Sequence, residues 1–201
     1  MPPLTRSAAR AARGSNVEAL ALRAEVSRKR DAVWEHRTTD LYTGRIRKET
    51  PLPQVDHCLE VQLAEYALVR AYEGVGGRPG TMATAQSHEQ LRNALNDLAN
   101  LNVTTRTINV WKMGPTRAAL NRLHSDSLRD VTLEQLARQG RAKPLVDDGT
   151  WARIERAIVN AYDATNETLN GQTALPAAAE LTAHTMDELS SVLSRLGVYG
   201  S

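Results

Sequence analysis

Phenylalanine is absent from this 201-residue chain, and tryptophan and tyrosine bring the aromatic share to only 4%. A core must therefore be built from Leu, Val, Ile and Ala, within a hydrophobic fraction of 41% that is enough for one domain. Cysteine occurs once, as Cys58, which excludes an internal disulfide framework and a Cys-x-x-Cys zinc staple. That usage suits a reducing compartment, so an intracellular setting (cytoplasm or nucleus) is expected. No apolar run approaches the ~18 residues of a transmembrane helix, and no membrane association is expected. A strong net charge is also missing, the formal sum being +2. That sum hides an asymmetry: residues 1–50 carry 11 Lys/Arg against 6 Asp/Glu, the remainder 14 against 17. A basic excess near the start suits phosphate contact or a solvated tail.

Residues 1–15 contain no acid and are rich in Arg, Ser and Ala. They are expected to form a disordered basic tail, a transit peptide being the alternative. Ser15 or Asn16 reads as the N-cap of a helix reaching Arg37, with Val26, Val33 and Trp34 at near-helical spacing. Alternation around Gly44, then the prolines at 51 and 53, predict an irregular two-stranded hairpin at about residues 40–56. A helix over Leu59–Glu73 follows, then a Gly-rich loop at 74–80, a linker that lacks the Gly-Lys-Ser/Thr ending of a phosphate cradle. Ser87 is expected to cap a helix from His88 to about Leu98. Asn100 to Asn109 is expected to be loop or short extended chain. Pro115 should sit in the first turn of a helix ending near Leu123. Beyond Ser125 the pattern is helical throughout: Thr132–Gln139, about 149–165, and Thr185–Leu196 with Thr185 and Glu188 as a capping box. The fold class expected is α+β and mostly helical, divided into a tail (1–15), a core (16–125) and a helical C-terminal region (126–201).

The chemistry-bearing residues are Asp56-His57 and, later, the run NLNVTTRTINVWK from Asn100 to Lys112. A carboxylate can hold a hard divalent cation, the adjacent imidazole can take a proton from water near neutral pH, and an asparagine can add a neutral oxygen ligand. Metal-assisted phosphodiester cleavage needs these three parts. Neighbouring residues of an extended segment point to opposite sides, so Asp56 and His57 need a local departure from flat strand to serve one site.

At these residues the chain resembles the HNH (His-Me finger, ββα-metal) nucleases. The likeness is to the branch with Asp-His on a β-element and a final Asn-x-x-Lys at a helix start, as in the HNH domain of CRISPR effector nucleases and in phage junction-resolving endonucleases. It covers roughly residues 40–122. The resemblance implies a ββα-metal core carrying an inserted helix, with the C-terminal helical region outside it. It implies that Asp56 and Asn109 ligate a single Mg²⁺ or Mn²⁺ and that His57 is the general base. Asn100 would shape the loop so that a backbone carbonyl orients the imidazole, and Lys112 would sit beside the scissile phosphate. The implied activity is a metal-dependent endonuclease acting on DNA, with RNA as a second candidate substrate.

Arg45, Arg47, Lys48 and Arg106 are candidate nucleic-acid contacts, with a solvated surface as the bland reading. Glu60, three residues past His57, is expected in a salt bridge or supporting a ligand rather than binding metal itself. Cys58 reads as a small buried residue, and the three tryptophans as core, with Trp111 a candidate for the groove border. Two other functions compete: a nucleic-acid-binding module without catalysis, and a helical protein–protein interaction domain built on residues 126–201.

Overall fold

A computed structural model of the chain describes residues 22–46, 53–76, 80–125, 131–139 and 147–198. The expected tail at 1–15 lies outside them, as do Arg47 and Lys48. The fold is α+β and mostly helical, with one small antiparallel sheet of two strands among the described residues. In chain order the elements are α1 (Leu22–His36), β1 (Pro53–His57), α2 (Val61–Gly74), α3 (Thr81–Leu95), a short 3-10 turn (Leu98–Asn100), β2 (Leu101–Thr105), α4 (Arg106–His124), α5 (Leu133–Arg138), α6 (Asp148–Asn170) and α7 (Pro176–Arg195).

Residues 47–52 of the hairpin expected at 40–56 lie outside the described residues, and among those described β1 takes a longer-range partner. β1 pairs with β2 across the α2–α3 insertion, in the register Pro53↔Thr105, Val55↔Val103 and His57↔Leu101. Among the described residues the chain near Gly44 makes a single bridge, Thr39↔Ile46, and turns at Gly44 with φ at +71°. Pro53 is tolerated because it opens the strand, where a missing N–H costs least. One face of the sheet puts Val55, Leu101 and Val103 against Val26, Val33 and Trp34 of α1. α4 lies against the other face.

The helices also differ from the sequence pattern where polar residues imitate caps. α3 starts at Thr81, leaving Ser87 buried in mid-helix with its hydroxyl 3.0 Å from Thr182 Oγ1 of α7. α7 starts at Leu175-Pro176, with Pro at the first turn where it is favoured. Thr185 is therefore interior and donates to the Leu181 carbonyl at 2.7 Å. Pro115 lies inside the 19-residue α4 rather than at its start. Its ring removes one backbone bond; the Thr116 hydroxyl donates to the Lys112 carbonyl at 3.1 Å in the same stretch. The Thr132–Gln135 capping box at α5 and the Asp147 cap of α6 are satisfied by side-chain bonds.

α7 packs across α2 and α3, and α6 across α3 and the 3-10 turn. A continuous cluster of buried apolar residues therefore joins Tyr42 and Leu59 to Leu189 and Val198. Trp111 belongs to it, packed edge-on against Trp151 with ring centroids 5.3 Å apart, so it does not border a groove. No helix among the described residues is long and apolar enough to cross a membrane.

Candidate functional site

β1 is flanked by helices on both faces and, among the described residues, paired on one edge. A cleft of about 260 Å³ follows it, lined by Val26 of α1, Asp56 and His57 of β1, Glu60 before α2, and Asn109 and Met113 of α4. Asp56 and His57 do point to opposite faces of the strand, as alternation demands. Both nevertheless line the same cleft, and no flattening of the pleat is needed to bring them together.

The imidazole of His57 is oriented by a side chain that the sequence did not single out. His57 Nε2 lies 3.2 Å from Asn96 Oδ1. The Asn96 amide nitrogen donates to the Arg92 carbonyl at 2.8 Å, which fixes the amide so that its oxygen faces the ring. Nε2 then carries the proton of a neutral imidazole, and Nδ1 is the basic nitrogen, an assignment that follows from the hydrogen-bond network. Asn96, at the end of α3, takes the part expected of a backbone carbonyl. Asn100 acts beside it. Its Oδ1 accepts from Leu59 N at 2.7 Å, its carbonyl accepts from Cys58 N at 2.8 Å, and its amide donates to the Leu95 carbonyl at 2.8 Å. It is buried and shapes the turn that follows His57, with no place among the cleft-lining side chains.

Lys112 is placed differently from the expectation of a phosphate contact. It is fully buried, with 0% of its surface exposed. Its ammonium lies 2.7 Å from Asp56 Oδ2, 3.1 Å from Glu60 Oε1 and 3.1 Å from the Tyr42 hydroxyl. It also donates to the His57 and Cys58 carbonyls. Burial alone would lower its pKa, but the Asp56 and Glu60 carboxylates outweigh that effect and raise it above the ordinary lysine value. The ammonium therefore stays charged and ties the end of β1 to α4. Glu60 takes the salt-bridge place expected of it.

A second support comes from the turn after α1. Asp40, fully buried, accepts from Tyr42 N, Thr43 Oγ1, Asn102 Nδ2 and Thr104 Oγ1 at 2.7–3.1 Å. That set holds the turn on β2 and aims Tyr42, whose hydroxyl donates to Asp56 Oδ2 at 2.9 Å. Burial, then the nearby Asp56 charge, push the Tyr42 phenol well above its usual value, so it remains a donor. Asp40, Tyr42 and Asn96 carry no motif signal. Only their proximity in the fold reveals them.

Asp56 thus commits Oδ2 to Lys112 and Tyr42, while Oδ1 makes no hydrogen bond among the described residues. Asn109 donates its amide nitrogen to Gln54 Oε1 at 3.2 Å, which leaves its oxygen as an acceptor. Both line the cleft. Among the described residues no group of three His, Cys, Asp or Glu side chains is arranged to hold a metal, so any cation here would rest on a carboxylate and an amide oxygen. Of the basic candidates, Arg45 and Arg106 are exposed, and neither lines the cleft.

Cys58 adjoins the site but is closed off. It is fully buried, and burial pushes its thiol up to about 11. In native protein at pH 8 it is expected to resist a thiol-titrating disulfide reagent and to react stoichiometrically after denaturation. Fast native labelling would show that the turn after β1 opens.

Compared with protein-family models, characterised proteins and solved structures, the chain matches none.

Proposed function

We propose that the chain is a metal-dependent endonuclease acting on DNA, with β1, β2 and α4 forming a ββα-metal core. The observation that carries this reading is the convergence of Asp56, His57 and Asn109 on one cleft, with the imidazole held through Nε2 so that Nδ1 is its basic nitrogen. An oxygen of Asp56 and the amide oxygen of Asn109 suit Mg²⁺ or Mn²⁺, which prefer hard oxygens and fill their remaining positions with water and phosphate. When bound, the cation supplies positive charge to the phosphate oxygens as the attacking and leaving groups exchange. His57 takes a proton from the attacking water. Asn96 keeps the ring in the tautomer that can do so. Tyr42 and Lys112 hold Asp56 in place rather than touching the substrate.

Two carboxylates share one ammonium in this cluster, a formal excess of one negative charge, which favours recruitment of a cation. The same geometry favours a second reading, in which the Lys112 ammonium serves as the permanent counter-ion of Asp56 and the chain binds nucleic acid without cleaving it. Supercoiled plasmid and a labelled RNA, incubated with Mg²⁺ or Mn²⁺, separate the two. Nicking that EDTA and His57→Ala both abolish is expected. Intact plasmid and RNA under every metal condition would eliminate the enzyme reading.

A further inference from the structure

A larger cleft, of about 420 Å³, lies between the end of α1 and the flank of α6 and shares no lining residue with the first. Its lining is basic: His36 at the end of α1 and Arg37 just after it, and Arg153 and Arg156 from α6, with Asn160 beyond them and no carboxylate. Arg153, Arg156 and Asn160 recur at helical spacing and share one face of α6.

Two of the three guanidinium groups are held in place. Arg37 donates from Nε to the Leu101 carbonyl and from Nη2 to the Leu98 and Ala99 carbonyls at 2.8–2.9 Å. Arg153 donates from Nε to the Tyr42 carbonyl at 2.7 Å and from Nη2 to Thr150 Oγ1 at 3.0 Å. Every one of those acceptors is neutral. Neither guanidinium makes a contact ion pair among the described residues, although the Asp147 carboxylate at the start of α6 lies near enough to Arg153 to feel its charge, and each keeps Nη1 without a hydrogen bond there. Arg156 and His36 are exposed and make no hydrogen bond or ion pair among the described residues. Guanidinium groups held by neutral acceptors, in a concavity of one charge sign, focus positive potential and present the donor geometry that phosphate oxygens accept.

We propose that this cleft binds phosphate groups of a nucleic-acid strand. Arg156 and His36 meet the phosphate from the exposed side, and Arg37 and Arg153 meet it from the wall. The choice of a nucleic acid as the source rests on the nuclease reading; the phosphate chemistry rests on the cleft alone. α1 links the two clefts, because Val26 lines the first and His36 the second. Ten residues of helix span about 15 Å, or roughly four phosphate steps along one strand of a duplex. The two clefts are therefore spaced along α1 by a length that a few nucleotides of one strand span.

The test is fluorescence anisotropy of a labelled DNA duplex with the full chain, in EDTA so that nothing is cut, across a salt series. Arg156→Ala and His36→Ala remove side chains that support no packing, so both variants should melt like the wild type. Arg156→Ala is expected to weaken binding on the order of 3- to 10-fold at low salt and to lower the log–log salt slope by about 1. Arg195→Ala, the loss of an equal charge at the end of α7, is expected to change neither. Unchanged affinity and slope in both Arg156→Ala and His36→Ala overturns the inference. If inorganic phosphate raises the melting temperature only when Arg156 is present, while DNA binding ignores that residue, the cleft serves a free phosphate and the strand assignment falls. Plasmid nicking by the wild type, run in parallel, keeps the two proposals apart. Nicking without Arg156-dependent binding overturns this inference alone. Arg156-dependent binding without nicking overturns the nuclease reading alone.

Discussion

Replacing Lys112 with Met is expected to cost about 3–5 kcal/mol of folding stability and to lower the thermal midpoint by roughly 10 °C in a chain of this size. The ammonium is fully buried between Asp56 and Glu60 and also satisfies the Tyr42 hydroxyl and the carbonyls after β1. Methionine fills the volume but leaves two largely buried carboxylates without their shared counter-charge. Unpaired buried charge, not lost packing, is the dominant penalty. Adding Asp56→Asn and Glu60→Gln to Lys112→Met should therefore recover much of the loss, because the stranded charges are gone. Urea denaturation of the single and triple variants measures both effects. A single variant within ~1 kcal/mol of wild type would mean that the ammonium does not organise the site.

The cluster also sets the sign of the alkaline response. Lys112, Tyr42 and Cys58 all have folded-state values raised above their ordinary ones. For such groups the stabilisation is complete below the unfolded value and is lost as pH climbs through the folded one. For Cys58 that window runs from about 9 to about 11. These three groups should leave stability level from neutral pH to about 9 and reduce it beyond.

What could be read from the sequence was what local chemistry dictates. The apolar spacing of α2 and α6, the helix beginning at Thr132 and the Asp56-His57 pair are properties of a few adjacent residues. The partner of β1 was not legible, because Leu101–Thr105 reaches it only after the insertion of α2 and α3 has folded back. Ser87 and Thr185 misled for a related reason: a residue that caps a helix can equally bond across helices or to its own preceding turn once buried. Lys112 stands as one basic letter in a motif, and nothing local distinguishes a lysine that meets a phosphate from one that neutralises two carboxylates. Burial decides between them, and burial is a property of the whole fold.

The same distinction between neighbours governs the second large effect. His57→Ala is expected to reduce cleavage by roughly 10²- to 10⁴-fold while leaving DNA and Mn²⁺ affinity close to wild type. A general base acts as the proton moves and contributes little to ground-state binding. The imidazole is held through Nε2 by the neutral Asn96 oxygen, an arrangement that orients a base. Asp56→Ala and Asn109→Ala should behave in the opposite way. Each removes an oxygen from the cleft, so Mn²⁺ binds more weakly and excess Mn²⁺ restores part of the activity. Asp56→Ala should also lose stability, since Lys112 and Tyr42 both lean on its Oδ2, whereas Asn109→Ala, which removes one side-chain hydrogen bond to Gln54 among the described residues, should not. Asn109→Ala is for that reason the cleaner test of ligation. Calorimetric titration of Mn²⁺ into the three variants reads the division of labour directly. If His57→Ala loses Mn²⁺ as completely as Asn109→Ala does, the histidine is a metal ligand and the base must be sought elsewhere.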